Sequence, residues 1–257
     1  MVAQNNREYI AADFEAKRAT YFRDNYLVPS YRNANRRRRR EAIARMIDRM
    51  PTIERFLDMG CGPTVLFPEA LALCDAYFAA DIAPANLASI QQQDPKIRTV
   101  GLDFDAFSWD RDFFDIVVCS GSLEYSDNGL ANLEKVLPTI RQGGMFICSF
   151  PNFRSPYRIW HEFLYLPASR IIKKLLKQPY SPYYRTLFSQ RQVQKVVAAH
   201  GFGDIRFEHV GYDFVLPPLD SWFPRIAYGA EATLRRTMPR VLASMASEFI
   251  VSVRRLR

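Results

Sequence analysis

The sequence is poor in the residues that build metal and disulfide sites. Its 257 residues include only four cysteines and three histidines. Cys61, Cys74, Cys119 and Cys148 are scattered and never spaced as Cys-x-x-Cys. That argues against a zinc site or a disulfide framework, so no bound metal is expected, and it suits a reducing cytosol. Long apolar runs are missing as well, and no stretch approaches the ~20 residues of a membrane-spanning helix. The N-terminus, Met1 to Ile10, is polar and argues against a cleaved secretory leader. There is no internal repeat, and no low-complexity stretch beyond the run Arg36 to Arg40. These absences point to a cytoplasmic globular protein.

What is present suffices for a core: 48% of the residues are hydrophobic and 24% charged, ordinary globular usage. The charge is uneven. Residues 1–50 hold 12 Lys+Arg against 6 Asp+Glu, residues 51–150 hold 6 against 14, and residues 151–257 hold 17 against 7. Basic ends around an acidic middle raise the odds of an anionic substrate, nucleic acid or anionic membrane surface, although a basic face often only solvates a protein.

The segment Glu8 to Met50 reads as helical, broken near Pro29, with an aromatic face of Tyr9, Phe14, Tyr21, Phe22 and Tyr26. Residues 1–50 are therefore expected to form an N-terminal helical cap. From Arg55 short apolar runs alternate with helical stretches. Strands are expected at Phe56–Asp58, Ala76–Asp81, Ile97–Leu102, Phe113–Cys119 and Met145–Phe150. Helices are expected at Val65–Cys74, Pro84–Gln92 and Leu130–Arg141, the last closed by Gly143-Gly144. Such alternation predicts an α/β fold with a parallel sheet covered on both faces. The beat resumes with a helix over Ser189–His200 and strands over Ile205–Val210 and Glu248–Val253. Two basic stretches interrupt it, so residues 51–257 are expected to form one domain with insertions at about 151–187 and 215–246.

The first strand ends in Asp58-Met59-Gly60-Cys61-Gly62-Pro63-Thr64. Glycines at a strand-to-helix turn let the backbone approach a ligand closely. Val65 stands where the dinucleotide fingerprint has its third small residue, which counts against NAD. Asp81, 19 residues past Gly62, ends the second strand and can accept both hydroxyls of a ribose. Two acids here suit a cationic ligand better than a pyrophosphate.

These residues resemble the class I S-adenosylmethionine-dependent methyltransferases. Asp58-Met59-Gly60-Cys61-Gly62 is similar to the first motif of that family. Asp81 occupies the place of its ribose acid, and Asp103 that of its adenine-contacting acid. Phe114-Asp115-Ile116-Val117-Val118 resembles the fourth-strand motif, followed by Ser120-Gly121-Ser122-Leu123-Glu124-Tyr125. Gly143-Gly144-Met145-Phe146-Ile147 resembles the motif leading into strand five. The resemblance covers about Arg55 to Asn152. It implies a Rossmann-like, doubly wound, mostly parallel seven-stranded sheet with helices on both faces, carrying helical cap insertions here. It implies S-adenosyl-L-methionine as cofactor, with Asp58, Gly60, Cys61, Gly62, Asp81, Ile82, Asp103, Phe104 and Ser120 at its site. Asp115 is expected to be structural.

Methyl transfer needs placement of the nucleophile, and a base only where the nucleophile must lose a proton. Candidate catalytic residues are His161, Glu124 and Tyr125, with Glu162 beside them. Tyr157, Trp160 and Trp222 are candidates for the acceptor pocket. Ile171, Ile172, Leu175 and Leu176 alternate with Lys173, Lys174 and Lys177 as a short basic amphipathic helix, read either as a packed lid or as an interfacial helix. Arg36 to Arg40 wrap a helix and read chiefly as a solvated face, with phosphate contact the alternative.

The expected function is methyl transfer to O, N or C of a hydrophobic, optionally anionic, small-molecule or lipid-like acceptor, with peripheral contact to an anionic membrane as a further option. Nucleic acid is disfavoured: no Asn-Pro-Pro-Tyr-like motif and no RNA-binding module are present. The alternatives are an RNA methyltransferase, suggested by the basic flanks, and a non-catalytic cofactor-binding protein of the same fold.

Overall fold

The computed structural model describes residues 11–13, 15–28, 31–50, 52–104, 106–178, 185–237 and 243–256. Tyr9, Phe14 and Pro29, singled out above, lie outside them.

Seven strands form one sheet: β1 Ile53–Met59, β2 Cys74–Asp81, β3 Ile97–Gly101, β4 Phe114–Ser120, β5 Ile140–Pro151, β6 Phe202–Val210 and β7 Glu248–Arg255. Their order is β3-β2-β1-β4-β5-β7-β6. The pairs among β1 to β5 are parallel, and β7 runs antiparallel to both β5 and β6. The helices are α1 Tyr31–Ile47, α2 Pro68–Leu73, α3 Pro84–Gln91, α4 Gly129–Val136, α5 Pro156–Ile159, α6 Leu166–Leu175, α7 Gln190–Ala199, α8 Leu219–Trp222 and α9 Pro224–Thr237. A π-helical segment, Trp160–Tyr165, joins α5 to α6.

Both faces of the sheet are apolar because neighbouring residues of each strand point to opposite sides. Leu57, Phe78, Val117, Phe146 and Val251 meet Leu133 of α4 and Val193 and Val197 of α7. Phe56, Tyr77, Ile116, Ile147 and Ile250 meet Ile43 and Ile47 of α1, Ala70 of α2 and Ile90 of α3. Burying each large side chain contributes about 1.5–3 kcal/mol. All four cysteines are buried free thiols. Among the described residues no helix is long and apolar enough to cross a membrane.

Three local expectations change. The helix after the glycine loop begins at Pro68 rather than Val65, because proline suits the first helical turn and residues 63–67 are held as a loop by Gln93. Its side chain donates to Pro63 O (3.1 Å) and accepts from Val65 N (3.2 Å). Gly143-Gly144 does not stop a helix. Helix α4 ends at Val136, one 3-10 turn carries Pro138, and the glycines lie within β5. A Cβ on Gly144 would fall 2.8 Å from Asp115 O, so this part of the strand approaches β4 too closely for a side chain.

The third change concerns the arginine run, which is not a solvated face. Arg37 donates to Tyr26 O (2.7 Å), Arg38 pairs with the buried Glu231, Arg39 pairs with Glu248 (3.0 Å), and Arg40 pairs with Glu69 (2.6 Å). Consecutive residues on a helix diverge by about 100°, so the run ties α1 to four different parts of the fold. Asp115 is also structural: its Oδ2 accepts from Glu54 N (2.9 Å) and Arg55 N (2.8 Å), fastening the start of β1 to β4.

Candidate active site

The carboxyl ends of the parallel strands carry two adjoining clefts. The first is built on the loop after β1. Gly60 and Gly62 have φ of 74° and 68°, a region that costs other residues about 1–2 kcal/mol. A Cβ on Gly60 would also lie 2.3 Å from Ser122 Cβ. Gly60 N and Cys61 N both donate to Ala80 O (2.7 and 3.1 Å), drawing the loop against β2. Asp81 closes it from the other side. Its Oδ2 accepts from Gly62 N (2.9 Å) and its Oδ1 from Ala83 N (2.9 Å) and Asn86 Nδ2 (3.2 Å). Burial pushes the Asp81 pKa up, while those donors pull it back.

Gly60, Gly62, Asp81, Ile82, Asp103, Phe104 and Ser120 all line this first cleft. The Ser120 hydroxyl, buried there, has no hydrogen-bond partner among the described residues. Two further expected residues lie elsewhere. Asp58 is beneath the loop, where Tyr77 OH donates to its Oδ2 (2.7 Å). Burial raises its pKa to about 7, with the Asp81 charge adding and the Tyr77 bond opposing. Asp58 lines neither cleft. Cys61 is likewise buried, its Sγ facing Gly62 O at 3.3 Å.

The second cleft gathers residues from distant parts of the chain. It is lined by Arg36 and Arg39 of α1, Glu124 and Tyr125 after β4, Tyr157, Arg158 and His161 of the first insertion, Arg185, and Glu248 of β7. Tyr21, Gly121 and Tyr125 border both clefts, so the two spaces meet there. The second is polar. Glu248 is shared by Arg39 and Arg158, which hold its carboxyl low against the effect of burial. Arg185 donates to Tyr125 OH (3.0 Å) with its guanidinium over that ring. Arg36 has Asn33 Oδ1 at 2.8 Å and, among the described residues, no carboxylate within ion-pair distance. Burial lowers its pKa, and Arg39 and Arg185 add to that.

The three expected catalytic residues, His161, Glu124 and Tyr125, all line this cleft. His161 Nδ1 lies 3.0 Å from Glu162 Oε1. The imidazole stacks on Tyr157, with ring centroids 5.7 Å apart. Burial lowers the His161 pKa, with the Glu162 hydrogen bond opposing. Burial would raise Glu162, but His161 and Arg185 outweigh it and hold the carboxyl low. The pair is therefore a neutral imidazole beside a carboxylate near neutral pH, with Nδ1–H donating and Nε2 left as an acceptor. Burial raises the pKa of Glu124, which Arg39 and Arg185 oppose.

Of the expected acceptor-pocket residues, Tyr157 lines the second cleft, whereas Trp160 and Trp222 line neither. Trp160 is fastened outside by Nε1 donating to Pro217 O (3.2 Å), and Trp222 is largely exposed.

Residues 57–148 match the family model described as methyltransferase domain. The chain carries a class I S-adenosylmethionine-dependent methyltransferase domain. S-adenosylmethionine is its methyl donor. No protein of curated function matches the chain by sequence. Among solved structures, the chain is similar to one in the complex between the Haloferax volcanii Trm112 methyltransferase activator and a methyltransferase. That match has 16% identity, covers 95% of this chain and 98% of the other, and has a TM-score of 0.57. An S-adenosylmethionine-dependent methyltransferase from Mesorhizobium loti is similar at 16% identity, covering 84% and 98%, with a TM-score of 0.55. Phosphoethanolamine N-methyltransferase 2 of Haemonchus contortus, in complex with S-adenosyl-L-methionine, is similar at 16% identity, covering 86% and 53%, with a TM-score of 0.55. At these identities the likeness is one of fold.

The first cleft of the methyltransferase domain fits that donor. It offers bare glycine backbone, two acid-bearing strand ends at Asp81 and Asp103, the Phe104 ring and an orphaned serine hydroxyl. Reasoning from sequence missed Tyr21, Arg36, Arg39, Arg158, Arg185 and Glu248. Tyr21, Arg36 and Arg39 stood out there only as parts of an aromatic face and a charge run, and no local motif marks Arg158, Arg185 or Glu248.

Proposed function

We propose that the protein transfers a methyl group from S-adenosylmethionine, held in the first cleft, to an amphiphilic acceptor whose reacting polar or acidic end enters the second. The observation that carries this is the meeting of the two clefts at Tyr21, Gly121 and Tyr125. When bound, the cofactor supplies a methyl group already activated by its sulfonium. The chain's task is then placement and proton removal. Gly60, Gly62, Asp81, Ile82, Asp103, Phe104 and Ser120 would hold the cofactor. Asp81 would accept from the ribose and Asp103 from the adenine amine.

Arg36 and Arg185 would receive an acidic group of the acceptor, since guanidinium donors match carboxylate and phosphate oxygens. His161 Nε2 would take the proton of an acceptor O–H or N–H, with Glu162 steadying the imidazolium through Nδ1–H. Glu124 and Tyr125 would border the reacting end. The N-terminal residues 1–50 would cap the domain formed by 51–257, Tyr21 closing over Gly62. The apolar remainder of the acceptor would run toward the first insertion, past Tyr157. Contact with an anionic membrane would bring such an acceptor within reach.

Labelled-methyl transfer into lipid, small-molecule and RNA extracts tests this. Label is expected in acidic, organic-extractable products, and Arg36→Gln should abolish most of it. Label confined to RNA would restore the nucleic-acid alternative. Tight cofactor binding with no transfer to any extract would support the non-catalytic reading.

A further inference from the structure

Helix α6 has no buried residue at all. Its apolar residues are nonetheless large: Ile171, Ile172, Leu175 and the following Leu176 are 62%, 56%, 77% and 62% exposed. At about 100° per residue, Ile171, Ile172 and Leu175 fall on one side of the helix and Lys173 and Lys174 on the other. Lys177 follows at its C-terminal end. All three lysines are exposed, and none forms an ion pair among the described residues. The apolar side is therefore neither packed on the domain nor screened by charge, which settles against the packed-lid reading of this helix.

The same character continues on both sides of α6. Phe163 and Leu164, in the π-helical segment before it, are exposed. The second insertion presents Leu219, Trp222, Phe223 and Ile226, with Trp222 68% exposed, and Arg225 is exposed beside them. The Trp160 Nε1 bond to Pro217 O ties the two insertions together. Large apolar surface open to water is costly and marks a docking site when it is rimmed by polar groups.

We propose that α6, with the exposed tip of the second insertion, is an interfacial anchor that lies on a bilayer surface bearing anionic lipids. Two features favour a lipid surface over a protein groove. The polar side of α6 carries only cations and no acid between Arg170 and Lys177, so its charge complements anionic headgroups. The apolar side is aliphatic, with a tryptophan on the neighbouring segment, the composition that sits at the headgroup boundary. The inference stands on the exposed helix alone. It shares with the proposed function the membrane contact and the amphiphilic acceptor, which such an anchor would deliver to the cleft lined by Tyr157, ahead of α6 on the same helical arm.

Co-sedimentation of the full-length protein with vesicles tests it. One vesicle is phosphatidylcholine alone, the other phosphatidylcholine with phosphatidylglycerol, each at low and high salt. The protein is expected to pellet with the anionic vesicle at low salt and to be released by salt. Ile171→Ser with Leu175→Ser should abolish binding. Replacing Lys173, Lys174 and Lys177 by Gln should weaken it about five-fold per lysine. Both variants should keep the parent's cofactor affinity and thermal midpoint, since these side chains contact neither cleft. Absence of wild-type binding to the anionic vesicle, or binding that both variants retain, overturns the proposal. So does a concentration-dependent dimer, seen by analytical ultracentrifugation and lost in Ile171→Ser with Leu175→Ser, because it would assign the face to a second copy. None of these readouts depends on methyl transfer, so the anchor and the acceptor reading fail separately.

Discussion

The guanidinium of Arg39 lies where a side chain on Gly121 would have to be: a Cβ there would fall 2.8 Å from Arg39 Nη2 and 2.9 Å from Nη1. Gly121 has φ of 76° and borders both clefts, while Arg39 reaches past it to Glu248 at 3.0 Å. Gly121→Ala must therefore strain the backbone and displace a buried ion pair. It should lower stability by about 2 kcal/mol or more in denaturant titration and sharply reduce methyl transfer. Unchanged stability would show that the two groups do not press on each other.

Asp81 should govern cofactor affinity. Its carboxylate holds the glycine loop through Gly62 N and lines the cleft. Losing charge-assisted hydrogen bonds costs about 1.5–3 kcal/mol, so Asp81→Ala should weaken S-adenosylmethionine binding roughly 10- to 100-fold in calorimetry. NAD, as control, should not bind to either form. Equal affinity of mutant and parent would remove Asp81 from the site.

The His161–Glu162 pair predicts a pH profile. Burial lowers the His161 pKa below its usual 6.5, so the imidazole is a competent base at neutral pH and loses that role only as pH falls through the lowered pKa. Activity should fall on an acidic limb set by His161. In Glu162→Gln the imidazolium loses its carboxylate, so the limb should move further toward acid while kcat drops at neutral pH. His161→Gln should abolish the limb and lower kcat by about 10²–10⁴-fold. An acidic limb surviving in His161→Gln would assign the proton transfer elsewhere, with Glu124 the next group to test.

Asp58 should make stability fall with rising pH. Its folded pKa is raised from 3.8 to about 7, so the folded state binds a proton that the unfolded state has released. The contribution is full below 3.8 and is lost as pH rises through about 7. Complete loss of a shift this large corresponds to a contribution on the order of 4 kcal/mol. Asp58→Asn, which still accepts from Tyr77 OH, should be more stable than the parent at pH 8 and flatten the slope between pH 4 and 7. Parallel pH curves for mutant and parent would rule this out.

Much of this protein is legible along the chain. Buried strands such as Phe56-Leu57-Asp58 and Ile116-Val117-Val118, the ordered glycine and acid motifs, and the helix expected over Ser189–His200 all act within a few residues. Backbone geometry and periodic burial are local, so a linear reading recovers them, and with them the sheet and the methyltransferase loop. The same reading misplaced what depends on distant neighbours. Gly143-Gly144 resembled a helix stop because nothing nearby reveals that β4 passes within contact distance. Arg36 to Arg40 resembled a solvated face because Tyr26, Glu231, Glu248 and Glu69 answer them from across the chain. Trp160 and Trp222 looked like pocket aromatics, and only their placement beside Pro217 and in solvent shows otherwise. The second cleft is assembled from α1, the β4 loop, the first insertion and β7, segments brought together by the packing of the sheet. Their individual residues carry no periodicity and no spacing that could mark them as neighbours. Chain sequence determined the fold and the cofactor loop through short-range sterics and hydrophobic patterning. Only tertiary structure decided which charges are buried together, because their partners are chosen by proximity in space.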